Sequence, residues 1–251
     1  MSERLRNRVA VLTGASKGLG KAMALALAAE GARVALVARP SESLRALVSQ
    51  IQAAGGVAEA FPADVTSESE IEGACRGIAA RFGEVNILVN NAGINVRKSI
   101  VELTVEDWHR VMDTNVTSAF LMCRMLLPHM RGRGYGRILN MTSIMSHVSM
   151  ANRVAYSASK AALLGLTRSL ALELAPEAIT VNGISPGPFV TEMTRPLMDD
   201  AALNAQMVGN IPLGRWGKPE EIGQLAVYLC SDEAGFITGT DILIDGGWTA
   251  R

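Results

Sequence analysis

Aromatic residues are scarce in this chain, and no charge of one sign accumulates. Phe, Trp and Tyr make up 4% of it. Lys plus Arg balance Asp plus Glu at 24 each, without a basic tract. This gives no electrostatic ground for a nucleic acid or an anionic membrane as partner. Cysteine is rare too: Cys75, Cys123 and Cys230 are far apart, odd in number and form no CxxC. Such a set reads as reduced core thiols of a cytoplasmic protein, not as a disulfide frame. His109, His129 and His147 lack metal-ligand spacing, so no dedicated metal site is expected. The first apolar run is too short for a signal peptide, and no stretch approaches the about 20 apolar residues of a membrane span.

What the chain does have is alternation. Its 251 residues are 49% hydrophobic, enough for a large core and near the upper size of one domain, expected to span 1–251. Short apolar runs at 8–13, 33–38, 58–63, 85–90, 136–142, 180–185 and 241–246 read as strands. Several are almost wholly apolar, as in parallel strands buried on both faces. Helix-period segments lie between them at about 18–30, 42–54, 67–82, 105–131, 155–175 and 219–230. Repeated strand–helix units predict an α/β fold, a doubly wound parallel sheet with helices on both faces. The irregular stretch 186–210 begins "PGPF" after a strand's carboxyl end. It reads as a substrate lid or as a surface excursion with a short helix.

"TGASKGLG" follows the first strand and opens a helix. Gly14, Gly18 and Gly20 allow a tight turn and close approach of a pyrophosphate, which the free N–H groups of the helix start can bind. At the end of the second strand no acid precedes Glu42, although an acid there is what a free ribose 2′-hydroxyl meets. Arg39 and Lys17 suit a 2′-phosphate instead, unless they are simply solvated cations, so NADP(H) is expected over NAD. Asp64 can accept from an adenine amine or cap the next turn. Asn90 and Asn91 in "NNAG" can satisfy backbone groups, and Gly93 permits close approach of a ligand.

"YSASK" puts Tyr156 and Lys160 on one helix face with small residues between them. A phenol titrates near pH 10, and a nearby cation makes it a better base at neutrality. Taken alone, the spacing is also that of an ordinary surface pair. Ser143, at the end of a strand, can hydrogen-bond a substrate oxygen. Asn115, inside the long helix, is either a satisfied core amide or an anchor for a relay water.

"TGASKGLG", "NNAG", Asn115, Ser143, "YSASK" and "SPGPFVTEM" stand in the order and spacing of the short-chain dehydrogenase/reductase family, which the chain resembles over nearly its whole length. The resemblance implies a Rossmann-like sheet of about seven parallel strands and metal-free hydride transfer between a nicotinamide and a ketone or alcohol. It makes Tyr156 the acid/base and Ser143 the orienting hydroxyl. Lys160 would lower the phenol pKa and hold the ribose, and Asn115 would hold a water. Cofactor positions would be Gly14, Ser16, Lys17, Gly18, Leu19, Gly20, Arg39, Asp64, Val65, Asn91, Ala92, Gly93, Tyr156, Lys160, Pro186, Gly187, Val190 and Thr191. A homotetramer built on the long helices is implied as well. Intact catalytic positions argue against a non-catalytic regulator.

Two sub-families compete for the substrate. "IPLGRWGKPEEIG" is similar to 3-oxoacyl-[acyl-carrier-protein] reductases, with Arg131 and Arg133 as carrier-docking candidates. Leu172, where an arginine is expected, counts against this. "NAGINVRKS" and "DGGWTA" are similar to gluconate 5-dehydrogenases, where Arg97 or Lys98 would meet a substrate carboxylate, unless both are solvated rim charges. Met145, His147, Asn152 and Met193 are candidates for the pocket wall.

Overall fold

The structure is a computed structural model that describes residues 3–192 and 194–250. Among these residues, seven strands form one parallel sheet: Val9–Thr13 (β1), Arg33–Ala38 (β2), Val57–Pro62 (β3), Ile87–Asn90 (β4), Gly136–Met141 (β5), Ile179–Pro186 (β6) and Asp241–Ile244 (β7). Their order is β3-β2-β1-β4-β5-β6-β7. The helices are Gly18–Ala29 (α1), Glu42–Ala53 (α2), Glu68–Phe82 (α3), Val105–Met112 (α4), Ser118–Met130 (α5), Val154–Leu174 (α6), Arg195–Asp199 (α7), Ala201–Gly209 (α8) and Pro219–Cys230 (α9).

Strand β1 shows why the apolar runs are uninterrupted. Successive side chains of a strand point to opposite faces. Ala10 and Leu12 enter a core with Met23 and Leu27 of α1 and Ile222 and Val227 of α9. Val9 and Val11 enter a second core with Ile71 and Ile78 of α3, Leu126 of α5 and Leu174 of α6. Every residue of β1 is therefore buried. Ser41 caps α2 by accepting from Leu44 N–H, and Ser67 does the same for α3 from Glu70 N–H.

The chain runs outward from β1 to β3, then returns to place β4 on the other flank of β1. Strand order reverses between β1 and β4, and a crevice opens at their carboxyl ends.

Two expectations need correction. The segment 105–131 is not one regular helix, because a π-helical turn at Asp113–Thr117 separates α4 from α5. The stretch 186–210 is largely helical: Asp200 starts α8 by accepting from Ala202 and Leu203 N–H, and α7 precedes it. No helix among the described residues is long and apolar enough to cross a membrane.

Candidate active site

The glycine loop and the loop after β4 interlock at the switch point. Asn91 Nδ2 donates to Thr13 O and Gly14 O, both at 3.0 Å. Asn91 and Ala92 N–H donate to Thr13 Oγ1 at 3.0 and 3.1 Å. Gly14 has φ +62°, and a Cβ there would lie 2.8 Å from Ala92 Cα. Asn91 thus serves backbone groups as expected. Asn90 does not, because its Nδ2 donates to the Asn140 side chain at 2.9 Å.

Lys17 is the N-cap residue of α1 and lends it no side-chain cap, so the N–H groups of the first turn face the crevice without one. Ser16 and Leu19 share this turn, both half-buried. Gly18 sits opposite Thr191, 3.5 Å from the position a Cβ would take. The far wall is therefore the segment after β6. Pro186 ends that strand, Gly187 packs on Asp245, and Val190 N–H donates to Gly217 O at 3.0 Å.

Arg39 is exposed at the end of β2. Asp64, before buried Val65, caps its own turn, accepting at Oδ1 from Thr66 N–H (2.9 Å) and Oγ1–H (2.8 Å). These bonds, helped by the Arg39 charge and opposed by burial, hold its carboxyl below the ordinary range.

Behind the crevice, Asn115 joins three elements. Its Oδ1 accepts from Ile94 N–H (2.8 Å), and its Nδ2 donates to Ile94 O (3.0 Å) and to Ser159 Oγ on α6 (2.9 Å). The amide is engaged on both sides, as a satisfied core amide is. The site is the π turn, a local widening common where function needs it. Gly93 lies against it: a Cβ there would stand 3.3 Å from Asn115 Oδ1 and 3.4 Å from Lys160 Nζ.

Lys160 is 4% exposed. Its ammonium donates to Met141 O at 2.5 Å and lies 5.6 Å from the Tyr156 ring centroid. Burial lowers its pKa to about 8. Burial also pushes the Tyr156 phenol up, opposed by a hydrogen bond from the Ser143 side chain and by the charge of Arg153. Lys160 thus stands near the Tyr156 ring while bonded to Met141 O, and Arg153 adds a second positive charge near the phenol. Sequence reasoning missed Arg153; its signal is its place one helical turn before Tyr156.

The substrate candidates divide. Lys98 is held by Asp107 at 2.5 Å, whereas Arg97 is exposed and reaches no carboxylate among the described residues. His147 Nε2 lies 2.5 Å from Asp241 Oδ2, so this side chain ties its loop to β7. Asp241 also accepts from Thr142 Oγ1 at 2.6 Å, and Ser185 Oγ lies 2.6 Å from Asp241 and 2.9 Å from Ser143 O. Asn152 is exposed with φ +63°, a turn conformation asparagine tolerates, and is better explained by the turn. Met145 is half-buried beside Ser143. Met193 lies outside the described residues.

The residues fit a dinucleotide. The α1 N-terminus lacks a side-chain cap, glycines line the crevice, and the buried ammonium of Lys160 has donors beyond its single bond to Met141 O. This is the site of a dinucleotide-dependent oxidoreductase. The family model described as enoyl-(acyl carrier protein) reductase matches residues 14–249. A 3-oxoacyl-[acyl-carrier-protein] reductase of Thermotoga maritima is 37% identical over 97% of this chain and 98% of its own. A putative gluconate dehydrogenase structure from Agrobacterium tumefaciens is 39% identical over 100% of both chains, with TM-score 0.96. A putative NAD(P)-dependent gluconate 5-dehydrogenase from Beutenbergia cavernae, with bound NADP, is 37% identical over 100% of both, with TM-score 0.94. The chain belongs to the short-chain dehydrogenase/reductase family and is an oxidoreductase acting on alcohol and keto groups with a nicotinamide cofactor.

Proposed function

We propose that the protein interconverts a secondary alcohol and a ketone on a sugar acid or polyol, using NADP(H). The observation that supports the substrate reading is Arg97, an exposed cation in the loop after β4 without a carboxylate partner among the described residues. The carrier-docking candidates are paired: Arg131 with Glu173 and Glu177, and Arg133 with Glu84. Leu172 is 81% exposed where docking calls for an arginine. The two gluconate-dehydrogenase structures support the same reading. The alternative, a 3-oxoacyl-[acyl-carrier-protein] reductase, is favoured by the Thermotoga relative. Exposed Arg39 and the NADP in the Beutenbergia structure support the cofactor choice.

A nicotinamide bound in the cleft supplies or accepts the hydride. The α1 N-terminus would hold the pyrophosphate, Arg39 with Lys17 the 2′-phosphate, Lys160 the ribose hydroxyls, and Val190 with Thr191 the carboxamide. Ser143 orients the substrate oxygen. In reduction Tyr156 Oη gives its proton to that oxygen; in oxidation the phenolate takes it back. Asn115 positions Ile94 and α6 around this centre. The single domain 1–251 uses 186–210 as a lid. Free, buried Cys75, Cys123 and Cys230 support a cytoplasmic setting, and exposed Phe120 on α5 and Leu172 on α6 support a homotetramer.

NADPH oxidation is measured with 5-ketogluconate and with an acetoacetyl thioester. Turnover of the keto acid alone is expected, with Tyr156→Phe slower by about 100-fold or more. Turnover of the thioester alone refutes the substrate assignment, and an active Tyr156→Phe enzyme refutes the acid/base assignment.

A further inference from the structure

Strand β7 opens with a carboxylate among apolar neighbours, Asp241 before Ile242, Leu243 and Ile244. Asp241 pairs in register with Gly183 of β6, and a Cβ on Gly183 would collide with Asp241 Oδ1. The glycine thus makes room for the acid. The Asp241 side chain is only 6% exposed, and His147 is the one basic side chain paired with it among the described residues. A buried carboxylate is costly unless its oxygens are used.

Its bonds converge on the turn that carries Ser143. Thr142 Oγ1, just before Ser143, lies 2.6 Å from Asp241 Oδ1. His147 Nε2, four residues after Ser143, lies 2.5 Å from Asp241 Oδ2. Ser185 Oγ on β6 lies 2.6 Å from the same Oδ2 and 2.9 Å from Ser143 O. Ser143 Oγ accepts from Met145 N–H at 3.1 Å, which leaves its own proton to give. The Ser185 hydroxyl has a single proton and two acceptors in reach. With His147 Nε2–H donating to Oδ2, that proton is left for Ser143 O. Without His147, the carboxylate claims it.

We infer that His147, Asp241 and Ser185 are positioning residues that hold Ser143 for the substrate oxygen, with His147 acting through the Ser185 proton. The inference rests on Ser143 as the orienting hydroxyl and adds what fixes it. An orienting group left loose by an ångström loses most of its effect.

Two readouts keep this apart from the role of Ser143. Without substrate, NMR of tyrosine labelled with 13C at ring Cζ reports the hydrogen bond between the Ser143 side chain and the Tyr156 phenol. The Tyr156 signal is assigned by its loss in Tyr156→Phe. His147→Ala and Ser185→Ala are expected to move it toward its position in Ser143→Ala. His147→Gln, whose amide restores a donor to Asp241, is expected to return it. Tyr135 and Tyr228 are expected to hold still, which a loosened fold would not allow. An unmoved Tyr156 signal in these Ala variants, or movement of all three signals, overturns the inference. Turnover is then read with 5-ketogluconate or an acetoacetyl thioester, whichever the wild type reduces. His147→Ala and Ser185→Ala are each expected to lower kcat by about tenfold or more at unchanged NADPH affinity. The double variant is expected to be no slower than Ser185→Ala, because both act through one proton. Additive losses overturn the coupling. Full activity of Ser143→Ala, with the Tyr156 signal behaving as expected, refutes the role of Ser143 and leaves the positioning network.

Discussion

Lys160 carries the clearest conflict between stability and chemistry. It is charged, buried and without a carboxylate partner, so folding disfavours its protonated form and lowers its pKa from 10.5 to about 8. Below pH 8 both folded and unfolded chains hold the proton, and the folded state bears the full penalty. Between pH 8 and 10.5 the unfolded chain binds more protons than the folded one, so this contribution makes stability rise with pH. Lys160→Met is therefore expected to lose activity and yet unfold at a higher denaturant concentration at pH 7. The gap of about 3 kcal/mol should close as the pH approaches 10.5. Equal stability of the two proteins at pH 7 would refute the buried charge. Arg39 gives a second expectation at this scale. Arg39→Asp should reverse the preference between NADP and NAD, read as the ratio of specificity constants, because a carboxylate repels the 2′-phosphate and accepts from a free hydroxyl. An unchanged ratio would refute its role.

Among elements, the π turn at Asp113–Thr117 has the most consequence. It sets Asn115 between the loop after β4 and α6, where one side chain makes three hydrogen bonds. Asn115→Ala leaves the Ile94 amide and carbonyl without these partners in a partly buried place. A loss of about 3 kcal/mol in urea unfolding is expected, with faster hydrogen exchange at Ile94 than elsewhere in that loop. Unaltered exchange there would assign the residue no such part. The position was legible from its oddity, an asparagine inside a helical pattern. The π turn was not, because apolar spacing cannot register a single widened turn. Helix α8 escaped for another reason: its residues follow no amphipathic stripe, and its start rests on Asp200.

For the whole molecule, two cores share one sheet, and each buries thiols. Cys230 lies in the core with α1 and α9, and Cys75 and Cys123 lie in the other. Burial pushes Cys75 up to about 11 and the other two up to about 12. An aromatic disulfide reagent at pH 8 is expected to find less than one reactive thiol per native chain and all three after denaturation. Rapid labelling of the native protein would contradict this packing. The same sheet brings residues far apart in sequence to one edge: Thr13, Asn91, Lys160 and Thr191 all border the crevice where β1 and β4 part.

The positions of the strands and of α1, α2, α3, α6 and α9 were determined by the sequence alone, since apolar period and glycine placement follow from local backbone geometry. So were the residue types of the site, because Tyr156, Lys160, Ser143 and the glycine loop carry chemistry in their spacing. Only the tertiary structure decided which charges were free to act. Lys98 and His147 looked available and are engaged by Asp107 and Asp241. Arg153 was passed over and stands beside Tyr156. Pairing of charges is a matter of distance through space, and for His147 the partner lies 94 residues away along the chain.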